Sequence, residues 1–406
     1  MKKLYLVISL ILMLGICFVL SSCGGKNSDE LEFFLKDDGT YVVEIGEAKY
    51  RSEIEIPSKH KGKTVTEIGA FGHSNSALEK ITIPDSITKI GANAFSGCTA
   101  LTSVTIPDNV TEIGANAFAN CTALTSVTIP DSVNKIGAMA FYNCDQLERV
   151  TIGNGVTKIE SYAFYGCSNI VSISLGNGVK EISSEAFTSN DKMVEVINHS
   201  SLNIEKGSSE YAGIAKNALE VHKGNTKIIN KDNYLFYTVD DFVYLIGYVG
   251  NDTELTFPDS YNGKKYQIYK YAFHNSDSIT RVSVSDGVTS IGDRAFYDCS
   301  KLTEVTLGKS VSTVGSYAFY YCKALTSVNI PSNVTEIKYS AFGGCSSLTN
   351  VVIQKGVTKI GNHAFSGCST LVVVCYTGTE KEWKSIEMDS SYSGLEDIFI
   401  RYNYGK

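Results

Sequence analysis

The sequence predicts a mostly β protein: a solenoid of about 23-residue coils, with β-hairpin starters and a short C-terminal helical cap. The dipeptide Ala-Phe recurs every 23 residues, and the residues between its copies alternate between apolar and polar. A fixed period of this length is the signature of a repeat architecture. The two series place phenylalanine at Phe95, Phe118, Phe141, Phe164 and Phe187, and again at Phe273, Phe296, Phe319, Phe342 and Phe365. Phe71 precedes the first series by 24 residues.

The composition supports a folded chain and excludes one class of partner. Hydrophobic residues make up 43% of the 406 residues and charged residues 19%, which is enough apolar material for a large core. The chain has 36 basic and 43 acidic residues and a net charge of −7. Because phosphate binding requires a basic face, we expect no nucleic acid partner.

The N-terminus has the pattern of an export signal. Lys2 and Lys3 precede an apolar run from Leu4 to Leu20, and Ser21-Ser22-Cys23 follows, as in a bacterial lipobox. We therefore expect residues 1–22 to be a signal peptide and Cys23 to be lipidated, with residues 23–30 as a tether. A plain signal peptide and an uncleaved anchor are the alternatives. The predicted location is exported and lipid-anchored at the bacterial cell surface, and which membrane carries the anchor is left open.

One repeat shows how a coil is built. Pro107 ends a short strand by removing a donor from the sheet, and Asp108-Asn109 forms a turn. No stretch of ten or more residues has helical periodicity, so we expect short strands and 3₁₀ turns on the return side. The alternation predicts that the following residues point into the core: Leu101, Val104, Ile106, Val110, Ile113, Ala117, Phe118 and Cys121.

A second regularity divides the repeats into two arrays. Leu31–Pro57 aligns with Asp232–Pro258 at a constant offset of 201, and Asp37-Asp38-Gly39 is typical of a hairpin turn. Each array therefore begins with a β-hairpin, and the predicted domains are 31–190 and 232–376. Residues 191–231 lose the Ala-Phe mark and are read as degenerate connecting coils. A bend or an insert with its own role is the alternative.

The repeat stops after Tyr376, and residues 377–406 are predicted to cap the solenoid. Thr379 with Glu382 three residues later forms a capping box, which predicts a short helix from Thr379 to Glu387. Trp383, the only tryptophan, is interpreted as a lid over the last coil rather than as a ligand-stacking residue.

The sequence offers little that would support catalysis. Eight cysteines occupy one position of the repeat, which favours free buried thiols over stacked disulfides or a metal site. The six histidines are scattered, and no zinc, nucleotide-binding or serine-hydrolase motif is present. We therefore expect no catalytic residues, no metal, no cofactor and no enzymatic activity.

Two surfaces are candidates for binding. Outward strand positions such as Thr102, Ser103 and Thr105 form a face of small polar side chains, for which solubility and β-propensity are the simpler interpretation. Tyrosine recurs immediately after the core phenylalanine, and adjacent coils would stack these rings in pairs. Tyrosine provides large contact area at low entropic cost. The candidate binding residues are Tyr142, Tyr165, Tyr297 and Tyr320, and packing over the turn beneath them is the alternative.

The repeat L-x-x-V-x-I-P-x-x-V-x-x-I-G-x-x-A-F-x-x-C, clearest in residues 101–121, resembles the BspA-type leucine-rich repeat of bacterial surface lipoproteins. Tyr376 to Trp383 also resembles the closing segment common in that family. The resemblance implies a cell-surface leucine-rich-repeat protein that mediates adhesion or protein or glycan binding through an extended solenoid surface, with no family-wide catalytic residues.

Several possibilities follow for the partner. We expect a host or neighbouring-cell surface protein or glycan, contact with the membrane through the lipid at Cys23, and a monomer. The alternative is a structural envelope scaffold with no dedicated ligand. An exported enzyme that acts on glycans is a third possibility, and it would need a carboxylate pair in a pocket that the repeat does not provide.

Overall fold

The computed structural model describes residues 30–70, 75–388 and 393–405. The predicted signal peptide, Cys23 and Phe71 lie outside these residues. The chain divides into two compact units. Unit 1 falls within Met1–Ser168, Leu175–Ser189 and Ser200–Leu202, and unit 2 within Asn169–Ser174, Asn190–His199 and Asn203–Lys406. The domain boundaries drawn from the sequence stay predictions.

Short strands make up most of the regular structure. In chain order, β1 to β16 are Glu32–Leu35, Tyr41–Glu44, Glu53–Glu55, Lys59–His60, Lys63–Ile68, Lys80–Thr82, Lys89–Ile90, Glu112–Ile113, Ser126–Ile129, Lys135–Ile136, Arg149–Ile152, Lys158–Ile159, Ser172–Leu175, Glu181–Ile182, Glu195–Asn198 and Glu220–His222. Strands β17 to β32 are Ile229–Lys231, Tyr234–Val239, Phe242–Tyr248, Glu254–Thr256, Tyr266–Ile268, Arg281–Ser283, Val288–Ile291, Glu304–Thr306, Thr313–Val314, Ser327–Ile330, Glu336–Ile337, Asn350–Ile353, Lys359–Ile360, Val373–Tyr376, Glu387–Met388 and Phe399–Arg401.

Helices are few in the described residues. They are one α-helix, α1 (Glu380–Trp383), and two 3₁₀ helices, Gly46–Tyr50 and Tyr211–Gly213. No helix in the described part of the chain has the length and apolar character needed to cross a lipid bilayer.

Unit 1 begins with a hairpin and continues as parallel coils. Strands β1 and β2 pair antiparallel, and β2 then pairs in parallel with β5. The two-residue strands β7, β8, β10, β12 and β14 follow in one sheet. Their partners are one repeat apart, so that Ile113 faces Ile136 and Ile136 faces Ile159. This register is what a stack of 23-residue coils requires, and it confirms the predicted solenoid.

Unit 2 repeats the same plan with two parallel sheets. Strands β18 and β19 form an antiparallel hairpin, which β17 extends on one side and β21 continues on the other. One sheet then runs through β23, β25, β27, β29 and β31, and the second through β20, β22, β24, β26, β28, β30 and β32. Both predicted hairpin starters are confirmed: they are the strand pairs β1–β2 and β18–β19.

The core of each unit is organised by the phenylalanine of the Ala-Phe pair. In unit 1 the rings of Phe95, Phe118, Phe141, Phe164 and Phe187 stack with centroids 5.0 to 5.3 Å apart. In unit 2 those of Phe273, Phe296, Phe319, Phe342 and Phe365 stack at 5.0 to 5.4 Å. All ten side chains are at most 2% exposed. Since a single coil cannot bury its own ring, each coil depends on its neighbours for stability.

The nine cysteines among the described residues are free and buried, which confirms the interpretation favoured by their spacing. Seven of the repeat cysteines donate a hydrogen bond from the thiol to the carbonyl oxygen of the phenylalanine in the preceding coil. They are Cys121, Cys144, Cys167, Cys299, Cys322, Cys345 and Cys368. The Sγ of Cys121 lies 3.1 Å from the oxygen of Phe95, and that of Cys322 lies 3.1 Å from the oxygen of Phe296. Burial raises the pKa of Cys98 to about 12 and also raises the pKa values of Cys121, Cys144 and Cys322, so these four thiols are protonated packing groups.

The C-terminal cap is confirmed, with a shorter helix than the sequence indicates. Thr379 and Glu382 form the predicted capping box, but α1 ends at Trp383 instead of reaching Glu387. The helix stops because Glu387 and Met388 turn back and pair with β29, which extends the sheet by one strand. Trp383 is 7% exposed and its ring meets the edge of Tyr376 at 5.2 Å, as expected of a lid over the last coil.

Candidate functional site

On the face of small polar side chains, one position of the repeat uses its hydroxyl group, in several coils, for a hydrogen bond to the preceding coil. Thr326 donates to the carbonyl oxygen of Thr303 at 3.1 Å, and Thr303 donates to that of Thr280 at 2.9 Å. In unit 1, Thr125 donates to the oxygen of Thr102 at 3.4 Å. The threonines at this one position connect their coils to the preceding ones, which favours a structural role for this position over a binding role.

The four candidate tyrosines form two stacked pairs, one in each unit. The rings of Tyr142 and Tyr165 in unit 1 have centroids 5.3 Å apart and planes inclined by 7°. Those of Tyr297 and Tyr320 in unit 2 are 5.4 Å apart and inclined by 22°. All four side chains are half-buried. The coil spacing thus stacks the rings as expected, and stacking leaves the ring edges and hydroxyl groups as the parts that remain for a partner.

The hydroxyl groups of these pairs differ from those of Thr125, Thr303 and Thr326, which bond to the preceding coil. Within the described residues, those of Tyr142, Tyr165 and Tyr297 have no hydrogen-bond partner in the protein. The hydroxyl of Tyr320 bonds to Tyr321, and this contact raises the pKa of Tyr320 to about 12. Three fixed donors on half-buried rings are therefore unused by the fold.

Further tyrosines, which the sequence reasoning missed, enlarge both pairs. The first tyrosine cluster consists of Tyr142, Tyr162 and Tyr165. The ring centroids of Tyr162 and Tyr165 are 5.6 Å apart. The second tyrosine cluster consists of Tyr297, Tyr317, Tyr320, Tyr321 and Tyr339, in which neighbouring rings are 4.2 to 5.4 Å apart. A signal for part of this was present: the pentapeptide Ser-Tyr-Ala-Phe-Tyr occurs at residues 161–165 and again at 316–320.

The backbone of the second cluster is strained. Tyr317 and Tyr321 have φ angles of 57° and 60°, in the left-handed region that bulky side chains avoid. Gly344 occupies the position of Tyr321 in the next coil, where a Cβ would overlap the Tyr321 ring. A Cβ at Gly343 would lie 2.8 Å from Cδ2 of Tyr320. Two glycines thus make room for two rings. The left-handed φ angles themselves recur at the same positions of other coils, for example at Met139 and at Asn143, so they are a feature of the repeat.

The two clusters differ in charge. In the first, Tyr162 donates a hydrogen bond to Glu185, which raises the pKa of that tyrosine. In the second, the guanidinium of Arg294 lies 4.7 Å from the ring centroid of Tyr317, and the ammonium of Lys323 lies 5.4 Å from that of Tyr321. The tyrosine cluster of unit 1 therefore has an acidic side chain beside it, and the tyrosine cluster of unit 2 has two basic side chains.

Unit 2 also holds a buried polar network around Glu195, a residue that sequence reasoning did not identify. Its side chain is fully buried and accepts hydrogen bonds from Ser172 at 2.8 Å, from Thr226, and from the backbone N–H of Lys227 at 3.1 Å. His222 Nε2 lies 3.2 Å from the same carboxyl group.

The Glu195 network contains serine, histidine and an acid but lacks the geometry of a hydrolase. The Ser172 hydroxyl donates to Glu195, whereas a nucleophilic serine would bond to the histidine. No group of three or more histidine, cysteine or acidic side chains is arranged to hold a metal within residues 30–70, 75–388 and 393–405. We interpret the network as structural.

His274 makes the stability of unit 2 depend on pH. Its side chain is 8% exposed, and burial, reinforced by the charge of Lys192, lowers its pKa from 6.5 to about 4. The unfolded chain therefore binds a proton between these values when the folded chain does not, so stability falls as pH falls from 6.5 to 4. We expect His274 to account for about 3 kcal/mol of that loss.

The measurement is the urea unfolding of wild type and His274→Gln at pH 7 and at pH 4.5. The variant should lose less free energy of unfolding than wild type between the two pH values, since acidic groups titrate equally in both. Equal losses would contradict the assignment to His274.

Comparison with known proteins gives one family match. The family model described as "BspA type Leucine rich repeat region" matches residues 40–144, 66–195, 111–238 and 254–387, with six copies. A search of curated proteins found no significant match.

Several solved structures are similar to the chain. A leucine rich cell surface protein from Faecalibacterium prausnitzii is 28% identical, with 91% of this chain and 99% of that chain covered and a TM-score of 0.44. A leucine-rich repeat protein from Eubacterium ventriosum is 20% identical, with 94% and 95% covered and a TM-score of 0.41. The pneumococcal vaccine antigen PcpA is 18% identical, with 91% and 96% covered and a TM-score of 0.34.

Proposed function

This chain belongs to the BspA type leucine-rich repeat family, and on that premise we propose that it is a bacterial surface lipoprotein that binds a protein or glycan through its two tyrosine clusters. The apolar run and Ser21-Ser22-Cys23 support export and anchoring through Cys23. The partner is a molecule of the host or of a neighbouring cell, and binding involves no catalytic step.

The observation that carries this proposal is the set of unused hydroxyl groups on Tyr142, Tyr165 and Tyr297. These rings are held by stacking, so a partner would bind them with little further loss of side-chain entropy. By contrast, Thr303 and Thr326 on the small polar face use their hydroxyl groups for hydrogen bonds between coils. The side chain of Tyr321 also supports a binding role, because other coils carry small residues such as Asn143 and Gly344 at this left-handed position and nothing in coil stacking requires an aromatic residue there.

The alternative function is a structural envelope scaffold without a dedicated ligand. The repeated hydrogen bonds and phenylalanine stacks would serve a scaffold equally well. A scaffold, however, needs no unpaired tyrosine hydroxyls at its surface, and it would show no saturable binding.

The test is the binding of soluble residues 24–406 to a panel of matrix proteins and glycans, with a variant that replaces Tyr142, Tyr165, Tyr297 and Tyr320 by alanine. Since each anchor of an interface contributes about 1 kcal/mol or more, we expect the variant to lose affinity by at least about tenfold. Thr105→Ala/Thr128→Ala, at two exposed positions of the repeat, is the matched control and should bind like wild type. Full binding by a folded tyrosine variant would refute the proposed site, and no binding by wild type would favour the scaffold.

A further inference from the structure

Arg294 lies in an aromatic clamp beside the second tyrosine cluster. Its guanidinium is 5.5 Å from the ring centroid of Tyr271 and 4.7 Å from that of Tyr317. Its Nη1 donates to the hydroxyl of Tyr271 at 2.9 Å. Guanidinium presents five N–H donors in one plane, so this hydrogen bond leaves most of the donors available. The two rings hold that plane in place before any partner arrives.

Within the described residues, Arg294 has no carboxylate at ion-pair distance, unlike another arginine of the same unit. Arg281 pairs with Glu254 at 3.8 Å and with Glu304 at 3.0 Å. Two acids near the clamp contact other groups: Asp293 accepts from the backbone N–H of Ser316, and Asp191 lies 3.5 Å from the hydroxyl of Tyr271. The clamp therefore holds a guanidinium group in a fixed orientation, with no ion-pair partner among the described residues.

The backbone at Arg294 is strained as well. Its φ angle is 54°, in the left-handed region. Asn93 and Asn116 occupy the same position of the repeat in unit 1, with φ angles of 57° and 54°, and asparagine tolerates this conformation better than arginine does. The same position has a left-handed φ angle in the other coils too, where it carries side chains as different as Met139, Glu185 and His363. The conformation therefore belongs to the repeat, and asparagine can replace arginine here without disturbing the fold.

We propose that the Arg294 clamp and the second tyrosine cluster bind a linear glycan that carries carboxylate groups. This inference rests on the proposed function and names its ligand class. Guanidinium pairs with a carboxylate through two parallel hydrogen bonds. Lys323 adds positive charge beside Tyr321, and the free hydroxyl of Tyr297 offers a donor and acceptor to sugar hydroxyls.

The spacing of the rings favours a glycan over an extended acidic peptide. Ring centroids are 5.4 Å apart for Tyr297 and Tyr320 and 5.2 Å apart for Tyr317 and Tyr339. An extended peptide places side chains of one face about 6.6–6.8 Å apart, so it would lose register within two coils. A polysaccharide offers hydroxyl groups on every ring and needs no such register.

The experiment measures the binding of three polyuronates, polygalacturonate, alginate and hyaluronan, to soluble residues 24–406. Uncharged dextran and poly-glutamate are the comparison probes. Arg294→Asn places at this position the residue that two other coils carry, so we expect an equal or higher melting temperature. Because a charged hydrogen-bonded pair is lost, we expect affinity for the bound polyuronate to fall by about tenfold or more.

Two further variants sharpen the result. Arg294→Lys keeps the positive charge but cannot donate two parallel hydrogen bonds to one carboxylate, so it should also weaken binding. Arg281→Asn removes the same charge elsewhere in unit 2 and should leave affinity unchanged. Binding should also weaken with added salt.

Three outcomes would overturn the proposal, and they are distinguishable. If a panel protein or dextran binds through the tyrosines and no polyuronate does, the glycan inference fails while the proposed function stands. Tighter binding of poly-glutamate than of any polyuronate would replace the glycan by an acidic peptide. If no probe and no panel member binds, both the inference and the proposed function fail.

Discussion

Replacing Glu195 with alanine should lower the free energy of unfolding of unit 2 by about 3–5 kcal/mol. The side chain is fully buried and joins Ser172, Thr226 and the backbone of Lys227 through one carboxyl group. Its removal would leave the buried hydroxyl of Ser172 without its acceptor, and would take one acceptor from the Thr226 hydroxyl and from the N–H of Lys227, two residues that are themselves exposed. A buried polar group without a partner costs about 1–3 kcal/mol, and the contact of the carboxyl group with Nε2 of His222 is lost as well.

The measurement is denaturant unfolding monitored by hydrogen exchange of unit 2 amides. Glu195→Gln keeps the shape of the side chain and should lose less stability than alanine. Glu210→Ala, an exposed acid in the same unit, is the matched control and should change stability by less than about 0.5 kcal/mol. If Glu195→Ala behaves like Glu210→Ala, the network does not hold this part of the unit together.

Phe118→Ala should lower the free energy of unfolding around its coil in unit 1 by about 3–5 kcal/mol. The ring is fully buried and stacks on Phe95 and on Phe141, each at 5.1 Å. Alanine would leave a cavity between two coils and remove both stacking contacts. Because coils are stabilised by their neighbours, we expect the loss to spread to the adjacent repeats.

Protection of unit 1 amides from hydrogen exchange should fall most in the coils that carry Phe95, Phe118 and Phe141. Thr128→Ala, at an exposed position of strand β9, is the control and should leave protection unchanged. A melting temperature of Phe118→Ala that matches the control would contradict the packing of the coils around the phenylalanine stack.

The repeat could be predicted from sequence because each of its parts depends on local chemistry. The Ala-Phe period sets the coil length, alternation sets which residues are buried, and Asp37-Asp38-Gly39 sets the first hairpin. The structure confirms these features, since strand partners are one repeat apart and both arrays begin with a hairpin.

The Glu195 network could not be predicted because it depends on a segment about 30 residues later in the sequence, which contains Thr226 and Lys227. Ser126, Arg149 and Glu195 share one position of the repeat, where alternation predicts a side chain that faces solvent. Ser126 is exposed as expected. At Glu195, however, the segment with Thr226 and Lys227 folds over this position and buries it. The alternation of apolar and polar residues around Glu195 does not indicate that a later segment will bury this side chain.

The candidate site was only partly predictable. The position after the core phenylalanine identified Tyr142, Tyr165, Tyr297 and Tyr320, and the structure stacks them in two pairs. Tyr321 could not be added from spacing alone, because glycine and asparagine occupy its position in other coils and predict only a turn. Which hydroxyl groups remain free depends on side-chain geometry, which a sequence pattern does not contain.

The most direct test of the central claim is to remove the three free hydroxyl groups while keeping the rings, in the variant Tyr142→Phe/Tyr165→Phe/Tyr297→Phe. The melting temperature should be unchanged, because these hydroxyl groups have no partner within the described residues and the rings still stack. Saturable binding to the partner found for wild type should weaken by about tenfold or more, since a hydrogen bond contributes about 0.5–1.5 kcal/mol. An unchanged binding isotherm would contradict the claim that these hydroxyl groups form the binding surface.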